Sequence, residues 1–168
     1  MTLLALNNLS RDEFVRIVGP VFEHSPWIAD QTWPKRPFAN FETLLRALCE
    51  TVHNSREDKQ LGLVRAHPDL VGRAALEGKL TGASTSEQAS AGLNTLTAEE
   101  ISTFQNFNAA YRERFGFPFI ICARLNKKEA MLQAFPVRLK HSREQELKTA
   151  LEEIYKIASF RLHDILSS

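Results

Sequence analysis

A histidine followed at once by proline stands where a helix has to stop, and Ala66-His67-Pro68-Asp69-Leu70 is such a place. Proline disfavours helical geometry at the residue before it, so His67 belongs at the C-terminal edge of the apolar segment that ends at Ala66. Its imidazole then projects from a fixed turn. Histidine is the one side chain whose ordinary titration falls near neutral pH, which makes a rigidly held one a candidate for moving a proton. The competing structural role is a helix C-terminal cap that complements the helix dipole.

A second cluster is Ser84-Thr85-Ser86-Glu87-Gln88. The spacing of Ser84 and Glu87 is that of a capping box, which gives Glu87 a purely structural alternative at the third position of a helix. The same geometry has chemical uses, because a helix N-terminus offers backbone N–H groups and a positive dipole end to a carboxylate or a polarised carbonyl oxygen. Glu87 and Gln88 add an acceptor and an amide able to read a polar heterocycle. Arg161 is the third candidate. It falls on the apolar face of the last helix, three residues after Ala158 and four before Ile165, and an arginine there must be paired to offset desolvation. An internal ion pair and a ligand contact are both open to it.

The elements that would position these groups are helical. Ser10 and Glu13 have capping-box spacing ahead of Phe14, Ile17, Val18, Val21 and Phe22, with Pro20 expected to kink or divide that helix. Ser25 to Phe38, with Pro26, Pro34, Pro37, Trp27 and Trp33, reads as an irregular connection pinned by its tryptophans. Asn40 should cap a helix with the stripe Phe41, Leu44, Leu45, Leu48 and Val52, and Ser55 with Asp58 should cap a short helix that ends at His67. Gly72, Gly78 and Gly82 mark a loose passage with at most one short helix. Thr97 and Glu100 open a long helix with the stripe Ile101, Phe104, Phe107, Tyr111 and Phe115, closed by Gly116. Asn126 should cap a helix through Met131, Leu132 and Phe135 that Pro136 breaks or kinks. Ser142 and Gln145 open the last one, with Leu147, Leu151, Ile154, Tyr155, Ala158, Leu162 and Ile165 on its apolar face.

One segment does not fit a helix. Phe119-Ile120-Ile121-Cys122-Ala123 follows a Gly-x-Pro and is continuously apolar, as a buried extended segment would be. No other stretch reads as a partner strand, so its backbone N–H and C=O groups must find partners elsewhere. A bound ligand is one source. The expected fold is therefore all-α, a single multi-helix domain over residues 1–168 with one extended apolar segment.

Charge and cysteine usage narrow the partners. Lysine and arginine number 21 against 20 acidic residues in a chain of 168, 43% of it hydrophobic, which is enough for one substantial core. Without a basic, aromatic-studded cluster the chain is not expected to bind nucleic acid or an anionic membrane. A small molecule is the expected partner. Cys49 and Cys122 lack paired metal-ligand spacing and fit reduced thiols. The first eight residues do not read as a secretory signal, no apolar run approaches the ~20 residues of a membrane span, and Ile165-Leu166-Ser167-Ser168 is no Ser-Lys-Leu peroxisomal address. The expected location is cytoplasmic.

Taken in order, His67-Pro68-Asp69-Leu70, then Ser84-Thr85-Ser86-Glu87-Gln88-Ala89 with Ala91-Gly92-Leu93, then Phe115-Gly116-Phe117-Pro118-Phe119-Ile120 resemble the 2-oxo-4-hydroxy-4-carboxy-5-ureidoimidazoline (OHCU) decarboxylases of uric acid degradation. The likeness spans nearly the whole chain, and Arg161-Leu162 resembles the family's C-terminal end. It implies an all-α, cofactor-free carboxy-lyase, commonly a homodimer, which converts OHCU to (S)-allantoin and carbon dioxide. Carried over by position, His67 would be the proton donor, with Glu87 and Arg161 also catalytic. Pro68, Ser84, Thr85, Ser86, Glu87, Gln88, Phe119, Ile120, Ile121, Cys122, Ala123 and Arg161 would contact substrate, and no metal is implied. Two other readings compete. A helical interaction module would show an exposed apolar patch and no pocket, and a metal hydrolase would use His67, Asp69 and the pair His163-Asp164, though no His-Glu-x-x-His spacing occurs.

Overall fold

The chain, described for residues 1–167 in a computed structural model, is built of helices joined by turns and loops, with no strand among the described residues. Contacts divide it into two compact units, one of residues 1–66 with 155–168 and one of residues 67–154.

The first unit holds α1 (Leu3–Asn7), α2 (Arg11–Val18), α3 (Trp27–Thr32), α4 (Phe41–His53) and α5 (Glu57–Ala66). Ser10 and Glu13 make the expected reciprocal capping box on α2, and Pro20 divides it from a 3-10 turn at Gly19–Val21. Asn40 caps α4, its side chain accepting from the Thr43 N–H at 2.8 Å. Phe14, Val18, Phe22, Ile28, Leu44 and Leu48 are almost wholly buried, so the stripes read from periodicity do form core. Two local readings need correction. The tryptophan segment contains α3 and a second 3-10 turn, Trp33–Lys35, rather than irregular chain throughout. Ser55 is not a cap: its hydroxyl donates to the Val52 carbonyl at 2.7 Å, behind the helix it was expected to start.

The second unit holds α6 (Arg73–Leu76), α7 (Gly82–Ser90), α8 (Ala98–Phe115), α9 (Lys128–Arg138) and the first half of α10 (Arg143–Ser167), whose remainder belongs to the first unit. Thr97 and Glu100 form the capping box of α8. Gly116 closes it in the left-handed region at φ 77°, where a side chain is strained. Ser142 and Gln145 exchange hydrogen bonds of 2.9 and 3.1 Å before α10. Here too the details differ from expectation. Pro136 does not end α9, which runs on to Arg138; so near the C-terminus it removes a single ladder bond, and the Leu139 N–H still reaches the Phe135 carbonyl at 2.9 Å. Asn126 caps nothing, because its Nδ2 turns back to donate to the Cys122 carbonyl at 3.0 Å.

Between α8 and α9 the chain is neither helix nor strand from Pro118 to Cys122, with a turn beginning at Ala123. The expected extended segment is present. Phe119 is fully buried and stacks on Phe135 with centroids 3.8 Å apart, and it meets Tyr111 edge-on at 5.3 Å.

Candidate active site

In the second unit α7 buries a stripe that is polar. Ser84, Glu87 and Gln88 are 4%, 7% and 8% exposed, whereas Thr85 and Ser86 on the same helix face solvent. The cap is Thr81, whose side chain accepts from the Ser84 N–H at 3.3 Å. Ser84 and Glu87 are therefore interior helix residues and not the expected capping box, and the helix N-terminus lies three residues earlier. This removes the capping explanation for Glu87. A buried carboxylate that does not cap a helix must have another reason to be desolvated.

His67 opens the second unit one residue after α5 ends at Ala66, as the proline rule requires, and is 6% exposed. The turn that follows is gripped by two helices. From α7, Gln88 Oε1 accepts from the Val71 N–H at 3.1 Å while its Nε2 donates to the Asp69 carbonyl at 3.3 Å. From α8, Asn108 Nδ2 donates to the Leu70 carbonyl at 2.7 Å, and the Arg112 Nε donates to both carboxylate oxygens of Asp69 at 3.0 and 3.1 Å. Val71 is held at φ 52°, unusual for a β-branched residue and sustained only where surroundings over-determine it. At Gly72 a Cβ would come within 2.6 Å of the Asp69 Cβ, so the turn closes too tightly for a side chain there. Gln88, expected to read a ligand's amide edge, thus spends its own amide on the backbone beside His67.

The extended segment is gripped in the same way. Arg138 Nη1 donates to the Ile120 carbonyl at 2.5 Å, and the Cys122 N–H donates to Glu153 Oε2 at 2.7 Å. Arg138 is itself fixed by Glu146, which is fully buried and accepts from its Nε at 2.9 Å and Nη2 at 2.8 Å, with the guanidinium over the Phe119 ring at 4.2 Å. The Tyr111 hydroxyl donates to the same Glu146 oxygen, and His141 Nδ1 lies 2.8 Å from the other. Burial, and after it the hydrogen bond to Glu146, hold the Tyr111 phenol above its usual range. The Cys122 thiol is raised first by burial, and the negative charges of Glu153 and Glu87 push it further up. Ile121 is the residue of 119–123 that is partly exposed, the other four being buried.

Arg161 lies in the first unit and is 6% exposed. Its Nη1 donates to Glu23 Oε2 at 2.8 Å and to the Val21 carbonyl at 3.4 Å. The internal ion pair, one of its two open roles, is present. Glu23 is 3% exposed, and a turn bonded from the Ser25 N–H to the Phe22 carbonyl positions it. Sequence reasoning missed Glu23, Arg138, Glu146 and Glu153; the one available signal was that an arginine on an apolar face needs a carboxylate. Asp69 of the metal reading is paired with Arg112. No three His, Cys, Asp or Glu side chains gather as a metal site among the described residues.

A family model described as OHCU decarboxylase matches residues 7–163. Among curated relatives, a 2-oxo-4-hydroxy-4-carboxy-5-ureidoimidazoline decarboxylase of Haloferax volcanii is 42% identical over all of this chain and 98% of its own. The enzyme of the same name from Amia calva is 43% identical, covering 99% of this chain and 95% of its own. A crystal structure of (S)-allantoin synthase aligns with TM-score 0.77 at 30% identity over 99% of this chain, which spans about half (54%) of that one. A crystal structure of OHCU decarboxylase in the presence of (S)-allantoin shares the fold, with TM-score 0.69 at 24% identity over 84% of this chain and 92% of that one. The motif resemblance and the full-length similarity agree: the chain belongs to the OHCU decarboxylase family.

Proposed function

We propose that the chain decarboxylates OHCU to (S)-allantoin, with His67 and Glu87 of the second unit as its proton-handling groups. The observation that carries this is the buried polar stripe of α7. Ser84 and Glu87 are desolvated without capping the helix, beside a rigid turn bearing a buried histidine. The substrate carries its own electron sink, so the chemistry calls for no cofactor. As the bond from C4 to the carboxylate breaks, its electron pair passes into the adjacent C5=N system. The ring nitrogen and C5 gain protons and the C4 hydroxyl loses its own as the ring amide carbonyl forms, which consumes one proton overall.

In this scheme His67 delivers the proton to one face of C5, and the face sets the hand of the product. Glu87 accepts from the C4 hydroxyl. The segment 119–123 supplies an apolar wall, and excluding water from the departing carboxylate favours the uncharged carbon dioxide. Pro68, Ser84 and Gln88 are assigned to the same space, whereas Thr85 and Ser86, assigned there by the resemblance, face solvent on α7. Arg161 is carried as a contact on the family resemblance alone, suited to charge developing on a ring oxygen rather than to the carboxylate, whose clamping would stabilise the ground state. The homodimer and the cytoplasmic location belong to this proposal too. No described helix is long and apolar enough to cross a membrane.

The test adds purified protein to freshly generated OHCU and follows (S)-allantoin by circular dichroism. One-handed product faster than the uncatalysed racemate is expected, and background racemate alone would overturn the reading. His67→Ala should lower kcat by about two to four powers of ten with the far-ultraviolet spectrum unchanged. A folded variant of full activity would remove His67 from the mechanism. Sedimentation equilibrium decides the dimer.

A further inference from the structure

The segment 119–123 has no strand partner, yet two of its peptide groups are held by buried ionic side chains. Arg138, 7% exposed, takes the carbonyl of the 120–121 peptide, and Glu153, 8% exposed, takes the N–H of the 121–122 peptide. Both peptides are trans, since the cis bond among the described residues is Arg36-Pro37. In a trans peptide the C=O and N–H point in opposite directions. Fixing the Ile120 carbonyl on Arg138 therefore aims the Ile121 N–H away from Arg138. Fixing the Cys122 N–H on Glu153 likewise aims the Ile121 carbonyl away from Glu153. Ile121 is also the partly exposed residue of the segment.

The two grips are built differently. Arg138 is locked by three further contacts, to the Glu146 carboxylate, the Tyr111 hydroxyl at 3.5 Å and the Phe119 ring. Its guanidinium can keep one orientation only while Glu146 neutralises it, because an unpaired buried cation is costly. Glu153 comes from α10, about two turns beyond the wholly buried Glu146 and less than one turn beyond the equally buried Ala150. Charged partners make shorter and stronger hydrogen bonds than neutral ones. An isolated extended segment would otherwise rotate its peptides freely.

We propose that Arg138 and Glu153 are positioning residues, which set the orientation of the two peptides flanking Ile121 so that its N–H and C=O are presented together to a cyclic ureide, whose ring amide offers the complementary pair. The inference rests on the decarboxylase reading for the identity of the ligand, and on the geometry alone for the clamp. Neither side chain takes part in proton transfer.

The test compares Glu153→Ala, Glu153→Gln and Arg138→Lys with the unaltered chain, reading KM and kcat for OHCU and amide hydrogen exchange at Ile121 and Cys122. Glu153→Ala should lower kcat/KM by about ten- to a hundredfold, the scale of a small misplacement of a bound reactant, chiefly through KM. Its Cys122 amide should exchange faster. Glu153→Gln keeps an acceptor oxygen and should recover part of the loss, and Arg138→Lys keeps the charge without the fork and should raise KM. A merely structural role would lower the melting temperature and leave KM of the folded fraction unchanged. Folded Glu153→Ala with unaltered KM overturns the proposal, as does Cys122 exchange that the substitution leaves alone. If Glu153→Ala does not fold, an unaltered KM in both milder variants overturns it. An unaltered chain that makes no (S)-allantoin overturns the decarboxylase reading instead, and the exchange measurement still decides the clamp.

Discussion

Gln88 shows how one residue's chemistry can be claimed by two roles. Both ends of its amide are engaged with the backbone at Asp69 and Val71, so its first effect falls on the turn that carries His67. Gln88→Met conserves size but leaves a buried N–H and a carbonyl unpaired, at about 1–3 kcal/mol each at most. Urea unfolding should show that loss, and kcat should fall more than KM, because a loosened turn misplaces His67, the proposed proton donor. A raised KM with stability intact would return Gln88 to reading the substrate. At Arg161 the test is Glu23. Glu23→Ala removes the carboxylate that accepts from Arg161 Nη1 at 2.8 Å, and breaking a buried ion pair by removing one partner costs about 3–5 kcal/mol. Thermal unfolding measures it, and an unchanged midpoint would mean that the pair carries no stability.

At the scale of elements, caps separate what the sequence dictates locally from what packing decides. Thr81 just before α7 and Ser84 in its first turn both have cap-forming side chains, and Thr81 is the one used. Thr81→Ala should therefore cost about 1 kcal/mol of stability, whereas Ser84→Ala should spare the helix and affect turnover; equal losses of stability would contradict the assignment. The caps at Ser10, Asn40, Thr97 and Ser142 and the terminator at Gly116 were legible because each rests on contacts within a few residues. The extended segment was legible from its composition and the absence of partner strands. Its anchors were not. Arg138 reaches back 18 residues to Ile120 and Glu153 reaches 31 to Cys122, and no local pattern distinguishes these from other charged helix residues. Glu87 was singled out in the sequence under a mistaken capping alternative, since spacing alone does not say which hydroxyl begins the helix.

For the molecule as a whole, acid sensitivity follows from carboxylates held low in both units. In the first, Glu13 is lowered by the Ser10 side chain and Asp30 by its hydrogen bonds with Arg11. In the second, Glu77 is lowered by Arg73 and Lys79, and Glu100 by Lys128. A folded value below the unfolded one means that the native state favours the ionised form. The associated stability is present above the ordinary values of 4.5 for Glu and 3.8 for Asp and is lost as pH falls through the lowered ones. Glu13 and Glu77 are exposed and Asp30 and Glu100 partly so, so each pair contributes little and salt screens it. The melting temperature should then decline as pH is taken from about 5 toward 3, and Glu100→Gln should flatten that decline. Glu100 is the sharpest of the four for this purpose, because it joins two helices: its carboxylate both closes the α8 capping box and accepts from Lys128 Nζ on α9 at 2.6 Å. Losing its charge at low pH therefore loosens the attachment of α9, the helix that carries Arg138, and thereby the segment at Ile120. If acid lowered the melting temperature of Glu100→Gln as steeply as that of the unaltered chain, the link between α8 and α9 would have to lie in their packed rings, Phe104 and Phe107 on Phe135, and not in the ion pair.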